Sequence, residues 1–372
     1  MTDENFNTFI DLGKTGIRGT SFNKENKKVQ NHIELKIEND LLNNLSNEEK
    51  SLENLIFNLE KKNGEYLNEI SLMVDNSNIL SISITIFKKS DEQILNNNFI
   101  KYITDEAKFE ISKNYPNYEI VHSIIKNFFL DEKIFFDLPK NLNHNKFAVE
   151  FNFILYPKFF LENLKKVFAR QNVIIKEFIF SSYSKSIFYL KKISDQKTKI
   201  FVDIGFEKTC EFLFENEKLQ QFKILPIGGN HITKDISKIL KIEISKANEI
   251  KLNFNNIDNN KNLKKDQIEL IKKIIFARIE ELLEISTLFF EANDNLKNVK
   301  LVFFGNGSKI LDSKFKSNII FNYDIDLLDE DYIDICLSGL SLANSEKEIF
   351  SSNVVFKKTE KGFFEKFFNL FS

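Results

Sequence analysis

Arginine is nearly absent from this chain. Of 52 basic side chains in 372 residues, only Arg18, Arg170 and Arg278 are arginines. The 54 acidic residues balance the basic set almost evenly. That excludes a protein drawn to nucleic acid by its overall field, so no nucleic-acid partner is expected. Cysteine is also scarce. Cys210 and Cys336 have no paired spacing and no metal-ligand cluster around them, which excludes a disulfide framework and a cysteine-based metal site. Two isolated thiols suit a reducing compartment and read as buried structural residues. Long apolar runs are missing too. None reaches the roughly 18 residues needed to span a bilayer, and no secretory leader pattern precedes the first strand. A cytoplasmic protein is expected, with any membrane contact peripheral.

Lysine, asparagine, isoleucine and phenylalanine are plentiful, the last with 40 copies. All four have AT-rich codons, so the bias reads first as genome composition, and the phenylalanines as core. The length exceeds one ordinary core and implies two to four subdomains.

The chain opens as a β-meander. Residues 6–11 alternate, Gly13 and Gly16 mark a turn, and strands 17–22 and 29–37 follow. Leu52, Leu55, Ile56 and Leu59 trace one helix face. Strands at 70–74 and 80–87 precede a polar helix at 91–114, extended stretches at 118–130 and 147–155, and a helix at 158–170. Strand 173–179 and a short helix at 182–191 complete this half. The opening grammar then returns. Strand 199–205 ends Asp-Ile-Gly, as 9–13 ends Asp-Leu-Gly, and strands 209–215 and 218–225 lead into helices. A meander followed by helices, given twice, indicates two homologous α/β halves facing each other. A long amphipathic helix spans 265–291, and strand 300–304 runs into Gly305-Asn306-Gly307. Residues 344–361 are polar and read as a linker.

A strand that ends Asp-x-Gly and turns back can cradle phosphate, because glycine lets backbone N–H groups approach the anion. Its aspartate can orient a hydrated magnesium ion. Two such turns, Asp11–Gly13 and Asp203–Gly205, head the two meanders. Gly228-Gly229-Asn230 opens a helix whose first N–H groups could serve a ligand. Gly305 and Gly307 follow a buried strand, where a flat base could lie against the backbone.

This ordered set resembles the actin-like ATPase superfamily, and within it the bacterial cell-division family FtsA. The resemblance rests on FIDLGKTGIRG, KIFVDIG, LPIGGNHITKDISKIL, the A-x-x-I-K of Ala247 to Lys251, ARIEELLEIS and LVFFGNGSKI. It implies an α/β fold of duplicated actin-like (ribonuclease-H-like) halves flanking a nucleotide cleft, with a small inserted α+β subdomain. The first half would comprise 1–76, 155–197 and 331–345, with 77–154 inserted. The second would comprise 198–230 and 296–330, with a helical subdomain at 231–295, a linker at 346–361 and an amphipathic helix at 362–372. ATP would be held by Asp11, Gly13, Lys14, Thr15, Arg18, Asp203, Gly205, Lys208, Thr209, Gly228, Gly229, Asn230, Asn248, Lys251, Gly305, Asn306 and Gly307. Magnesium would sit through water on Asp11 and Asp203.

The chain departs from the family at the second turn. Phe206 and Glu207 stand where glycines approach the outer phosphates. A carboxylate 4 Å from a phosphate charge costs about 4 kcal/mol at an effective dielectric near 20. Lys208 could offset part of that, and Lys14 or Arg18 could add attraction. Asn248 replaces a glutamate on the base-binding helix, and Asn306 replaces a glycine in the adenine loop. The expectation is a pocket of reduced fit for triphosphate, gating assembly and without robust turnover. His231 reads as structural.

If 362–371 is helical, Phe363, Phe364, Phe367, Phe368, Leu370 and Phe371 share one face, with Lys361 and Lys366 flanking it. The pattern is that of an interfacial membrane helix and resembles the FtsA membrane-targeting segment. Burying five Phe gives roughly 7–15 kcal/mol gross against about 10 kcal/mol for ordering the segment. One tail would hold weakly, and many in a polymer would hold firmly. Arg278 and Glu281 lie on the helix that resembles the FtsA surface for the FtsZ C-terminal peptide. An intramolecular ion pair with neighbouring glutamates is the alternative for Arg278. The resemblance thus implies a self-associating adaptor tethering FtsZ to inner-membrane lipids at the division site, alongside other division proteins. A sugar-kinase-class phosphotransferase and a PilM-like pilus assembly protein are the competing readings.

Overall fold

A computed structural model describes residues 5–36, 49–89, 95–131, 133–139, 146–193, 198–259, 263–291, 299–311 and 324–350. Two five-stranded sheets carry the same plan. In the first, β1 (Phe6–Gly13), β2 (Gly16–Asn23) and β3 (Val29–Lys36) form an antiparallel meander, and β4 (Glu69–Val74) and β9 (Ile174–Phe180) add in parallel, in the order β3-β2-β1-β4-β9. In the second, β10 (Thr198–Ile204), β11 (Thr209–Glu215) and β12 (Lys218–Leu225) form the meander, and β13 (Val299–Phe304) and β14 (Asp324–Leu327) add in parallel, in the order β12-β11-β10-β13-β14. The duplication read from the sequence is therefore a duplication of topology.

Helix α1 (Glu49–Asn63) covers the first meander with Leu52, Leu55, Ile56 and Leu59, the four positions its periodicity selects. A third sheet, β5-β8-β6-β7, is built from β5 (Leu80–Lys89), β6 (Tyr118–Leu130), β7 (Lys133–Phe135) and β8 (Lys146–Pro157). It has its own core. Phe147, Val149, Phe151 and Phe153 alternate along β8 and meet Ile100, Ile103, Ala107 and Ile111 of α2 (Asn97–Asn114). Period-two alternation of this kind puts every second side chain on one face.

The same alternation joins the two halves. Phe201, Phe212, Phe214, Val302 and Phe304 point from the second sheet into the core of the first half. Ile200, Val202, Ile204, Leu301 and Phe303 point the other way, onto α5 (Gly229–Leu240), α6 (Ile244–Leu252) and α7 (Lys265–Glu291). At the seam, the Phe180 ring lies 5.5 Å from Phe212 and 5.7 Å from Phe222. Six phenylalanines, Phe180, Phe201, Phe212, Phe214, Phe222 and Phe304, thus join the halves. Both cysteines are buried and free.

After α3 (Lys158–Ala169) and β9, helix α4 (Ser181–Leu190) enters the seam. Residues Ser181 to Ser186 are all buried, and such a helix must satisfy its hydroxyls internally. Ser184 and Ser186 donate to the carbonyls of Ser181 and Tyr183 at 2.9 and 2.7 Å. Ser184 also meets Ser338 of α8 (Tyr332–Phe350) at 3.0 Å. Helix α8 runs on to Phe350 where the sequence suggests a linker from 344, so the polar run does not break the helix there. The amphipathic stretch with Phe363, Phe364, Phe367, Phe368, Leu370, Phe371, Lys361 and Lys366 lies outside the described residues. Among the described residues no helix is long and apolar enough to cross a membrane.

Candidate nucleotide cleft

Asp11 and Asp203 line one cavity between the halves, with Gly13, Lys14, Thr15, Arg18, Gly205, Lys208, Gly305 and Asn306. The sequence expectation that both aspartates face a shared space holds. The cavity is about 110 Å³, below the roughly 300–1,000 Å³ of sites that enclose small molecules. Gly228, Gly229, Asn230, Asn248 and Lys251 do not line it.

Asp11 is already satisfied. Its cross-strand partner in the β1–β2 ladder is Arg18. The Arg18 Nη1 donates to Asp11 Oδ2 at 3.1 Å, and the Ser181 hydroxyl donates to Oδ1 at 2.6 Å. Arg18 Nε reaches Glu34 at 3.1 Å, and the guanidinium lies 5.0 Å from the Tyr332 ring centre. Burial opposes the Arg18 charge, but Asp11 and Glu34 outweigh it and hold the group above its usual range. Gly13 makes the arrangement possible. A Cβ there would come 3.0 Å from the Gly16 carbonyl and 3.3 Å from the Arg18 guanidinium.

Asp203 is satisfied differently. Its cross-strand partner is Cys210, which carries no charge to give. The cation comes instead from α4: Lys185 Nζ lies 2.6 Å from Asp203 Oδ2 and 3.3 Å from Glu330 Oε1. Asp75 stands near, accepting from the Ser182 N–H at 3.1 Å and its hydroxyl at 2.6 Å. Burial pushes the Asp203 and Glu330 carboxyls up, and Lys185 pulls both back. Burial works against the Lys185 charge as well, yet Asp203, Glu330 and Asp75 hold it well above the ordinary lysine range.

The second phosphate turn closes on itself. The Gly229 N–H donates to the Gly205 carbonyl at 2.9 Å, and the Asn230 N–H to the Phe206 carbonyl at 2.7 Å. The Gly228 N–H donates to His231 Nδ1 at 3.1 Å, so His231 is structural, as its position suggests. The helix-start donors that the sequence offers to a ligand are spent on the protein's own backbone carbonyls and the His231 ring. The glycines serve that approach. A Cβ on Gly228 would meet Lys208 N and the Phe206 carbonyl at 2.7 Å, and one on Gly307 would meet Ile204 Cγ2 at 2.5 Å. Gly305, at φ +87°, sits where a Cβ would strike Asp203 Oδ1. Thr209 donates to the Ile227 carbonyl at 2.7 Å.

Two expected phosphate cations are engaged. Lys14 forms an ion pair with Glu207 across the halves, and Arg18 is held as above. Lys251 donates to the Gly229 carbonyl at 3.0 Å, and burial pushes its pKa down to about 8. Asn248 accepts from Thr233 at 3.5 Å. Arg278 takes Asp235 of α5 with Nε and Nη2, at 2.9 and 2.7 Å, and Nη1 takes Glu281. The intramolecular pair weighed in the sequence is formed, with Asp235 as its larger part.

Hydrated magnesium does not fit these residues. Asp11 already holds the Arg18 guanidinium, and Asp203 and Glu330 share the Lys185 ammonium, so each aspartate has a resident cation in contact. Among the described residues, no group of three acidic, cysteine or histidine side chains could hold a metal. Sequence reasoning passed over Lys185, Glu330, Asp75, Ser181 and Ser182. A signal existed: Lys185 is the one charge in FIFSSYSKSIFYL, and a lone charge in such a run must find a buried partner.

Residues 200–307 match the family model described as Cell division protein FtsA. FtsA of Helicobacter pylori is 27% identical over 139 residues, covering 37% of this chain and 28% of that protein. FtsA of Streptococcus pneumoniae is 24% identical over 265 residues, covering 68% and 57%, and that of Bacillus subtilis is 28% identical over 182, covering 45% and 41%. The matches thus span between about a quarter and three fifths of these relatives. A solved structure of the PilM–PilN type IV pilus biogenesis complex superposes with TM-score 0.62 at 13% identity, over 91% of this chain and 98% of that one. The ethanolamine utilization protein EutJ from Carboxydothermus hydrogenoformans gives 0.50 at 13% identity, over 90% and 88%. Sequence similarity and topology agree, and the chain is a divergent FtsA-like protein with the actin-type fold.

Proposed function

We propose that this chain is a cell-division adaptor: it tethers FtsZ filaments to the cytoplasmic face of the inner membrane and self-associates, without robust nucleotide turnover. The observation that carries the reading is the FtsA match over 200–307, which spans the second meander, the Gly-Gly helix, α7 and the loop after β13. The cleft supports the non-catalytic part. Among the described residues, its carboxylates Asp11, Asp75, Asp203, Glu207 and Glu330 each face a lysine, arginine or serine donor. That weighs against the phosphotransferase reading. Nucleotide, where it binds, must first displace internal contacts. The apolar pattern of 362–371 supports a weak, reversible lipid contact that polymer avidity strengthens.

The test pairs two measurements. Full-length protein should pellet with anionic vesicles, and a chain ending at residue 361 should remain in the supernatant with an unchanged melting profile. The FtsZ C-terminal peptide should bind, and Arg278→Glu should weaken it about tenfold or more, since reversing the charge of a close pair costs at least ~1.4 kcal/mol. Equal pelleting by the shortened chain removes the membrane role. A peptide that fails to bind removes the FtsZ role.

A second reading is a PilM-like adaptor in pilus assembly, favoured by the fold match over 91% of the chain. A cytoplasmic pilus-protein peptide binding where the FtsZ peptide does not would establish it.

A further inference from the structure

We propose that the ammonium of Lys185 is a resident substitute for a metal-bound nucleotide, fastening the two halves so that the closed cleft needs neither magnesium nor ATP. The proposal stands on the cleft alone and does not depend on which partner the chain tethers.

The geometry is specific. Lys185 belongs to α4, continuous with β9 of the first half, and Asp203 belongs to β10 of the second. Their contact at 2.6 Å therefore crosses the cleft at its floor. Glu330, in the connection from β14 to α8, closes the group from the other side at 3.3 Å. The Phe304 ring lies 5.2 Å from the ammonium. A second clasp, Lys14 with Glu207, joins the tips of the two phosphate turns at the rim. Within the second half, backbone hydrogen bonds from Gly229 and Asn230 hold the second turn shut. One continuous apolar core, with phenylalanines from both halves, keeps the halves in register.

A nucleotide in an open cleft bridges two lobes by bringing donors and acceptors that each lobe lacks. Here the first lobe supplies the cations that the second lacks. Asp203 has an uncharged strand partner, Cys210, and takes its cation from the opposite half. Glu207, which would repel phosphate, takes Lys14. The carboxylates Asp11, Asp75, Asp203 and Glu330 would repel a polyphosphate unless a cation came with it, and Lys185 and Arg18 already stand in that cation's place. Ligand entry would have to break buried charge pairs, whose loss leaves an uncompensated charge in low dielectric.

The experiment uses the full chain. Isothermal titration and thermal melting are run with MgCl2, ATP, MgATP and EDTA. The wild type should show no magnesium-dependent heat and a melting shift under about 1 °C, because a ligand that does not bind the folded state does not stabilise it. Hydrogen exchange is then followed over residues 205–209. Lys185→Met should raise exchange there about tenfold and gain a magnesium response that the wild type lacks. Should Lys185→Met not fold, Asp203→Asn, which keeps the side-chain shape and removes the charge that Lys185 pairs with across the cleft, replaces it and should raise exchange at the same residues about threefold. A magnesium-dependent ATP shift in the wild type overturns the proposal. So does unchanged exchange in the variant that folds. Neither outcome bears on vesicle or peptide binding, so the adaptor reading stands or falls separately.

Discussion

The two halves share a topology and solve the same electrostatic problem in opposite ways. Each presents an aspartate near the end of the first strand of its meander, in a buried place where a bare carboxylate is costly. In the first half the ladder itself supplies the cation, because Arg18 is the residue paired with Asp11. In the second half the same ladder position holds Cys210, and the cation must be borrowed from across the cleft. One half is electrostatically complete alone. The other is complete only when the halves are together. An internal duplication can thus diverge from a pair of equivalent ligand-binding turns into a donor and a recipient, with the fold unchanged.

The largest expected effect breaks the borrowed pair. Lys185→Met leaves Asp203 and Glu330 buried without their cation and should cost about 3–5 kcal/mol, read by urea unfolding. Adding Asp203→Asn should return a good part of it, since contacting sites couple by up to about 3 kcal/mol. The deficit has a pH signature. Without Lys185 both carboxyls are raised further in the folded state, so the folded protein binds more protons than the unfolded chain. Stability added by those protons is present at low pH and lost as pH rises. The gap between wild type and Lys185→Met should therefore narrow as pH falls toward the ordinary carboxylate range near 4.

Arg18→Met should cost somewhat less, about 3 kcal/mol, because Ser181 still donates to Asp11. Its location is the sharper readout. Hydrogen exchange should rise in β1 and β2 and stay unchanged at 205–209. Equal opening at both turns would erase the distinction between the self-sufficient half and the borrowing half.

How much of this was legible in the sequence follows the same division. The meanders, their repeat and the α1 face were readable, because period-two and period-3.6 patterns reflect burial that each element enforces locally. The shared cavity was readable from the two Asp-x-Gly turns. The use of that cavity was not. Gly228, Gly229, Gly305 and Gly307 signal close approach, but a sequence does not say whether a phosphate or another turn of the chain approaches, and here it is the chain. Lys14 and Arg18 read as phosphate cations because their carboxylate partners, Glu207 and Glu34, lie in other strands or the other half. Lys185 does not stand out within a lysine-rich composition, although the run from Phe178 to Leu190 holds no other charge. Pairings across 16 to 193 residues are tertiary facts, and no local period records them.

A comparable effect, spread over a pH window, probes the second half's own interior. Lys251 covers the Gly229 carbonyl, and burial lowers its pKa to about 8 from 10.5. Between those values the unfolded chain binds a proton that the folded protein has shed, so stability rises with pH across that window. At 1.36 kcal/mol per unit the rise is about 3 kcal/mol. Lys251→Met abolishes this contribution. The difference between wild type and variant should shift in favour of wild type from pH 8 to pH 10.5, and a flat difference would mean that Lys251 is solvated in solution.

The smallest effect is the most discriminating for the comparison. Lys14 and Glu207 are partly exposed, with side-chain exposures of 19% and 36%, so solvent screens their pair and Lys14→Ala should cost only about 0.5–1 kcal/mol. The pair nevertheless joins the two turn tips. Lys14→Ala should leave β1 and β2 protected, raise exchange modestly at 206–208, and lose its effect in about 0.5 M salt, where the screening length is only a few ångströms. The Lys185 deficit, buried under α4, should persist at that salt. If both effects faded together, the floor of the cleft would be as wet as its rim, and the borrowed cation would be an exposed contact rather than a structural member.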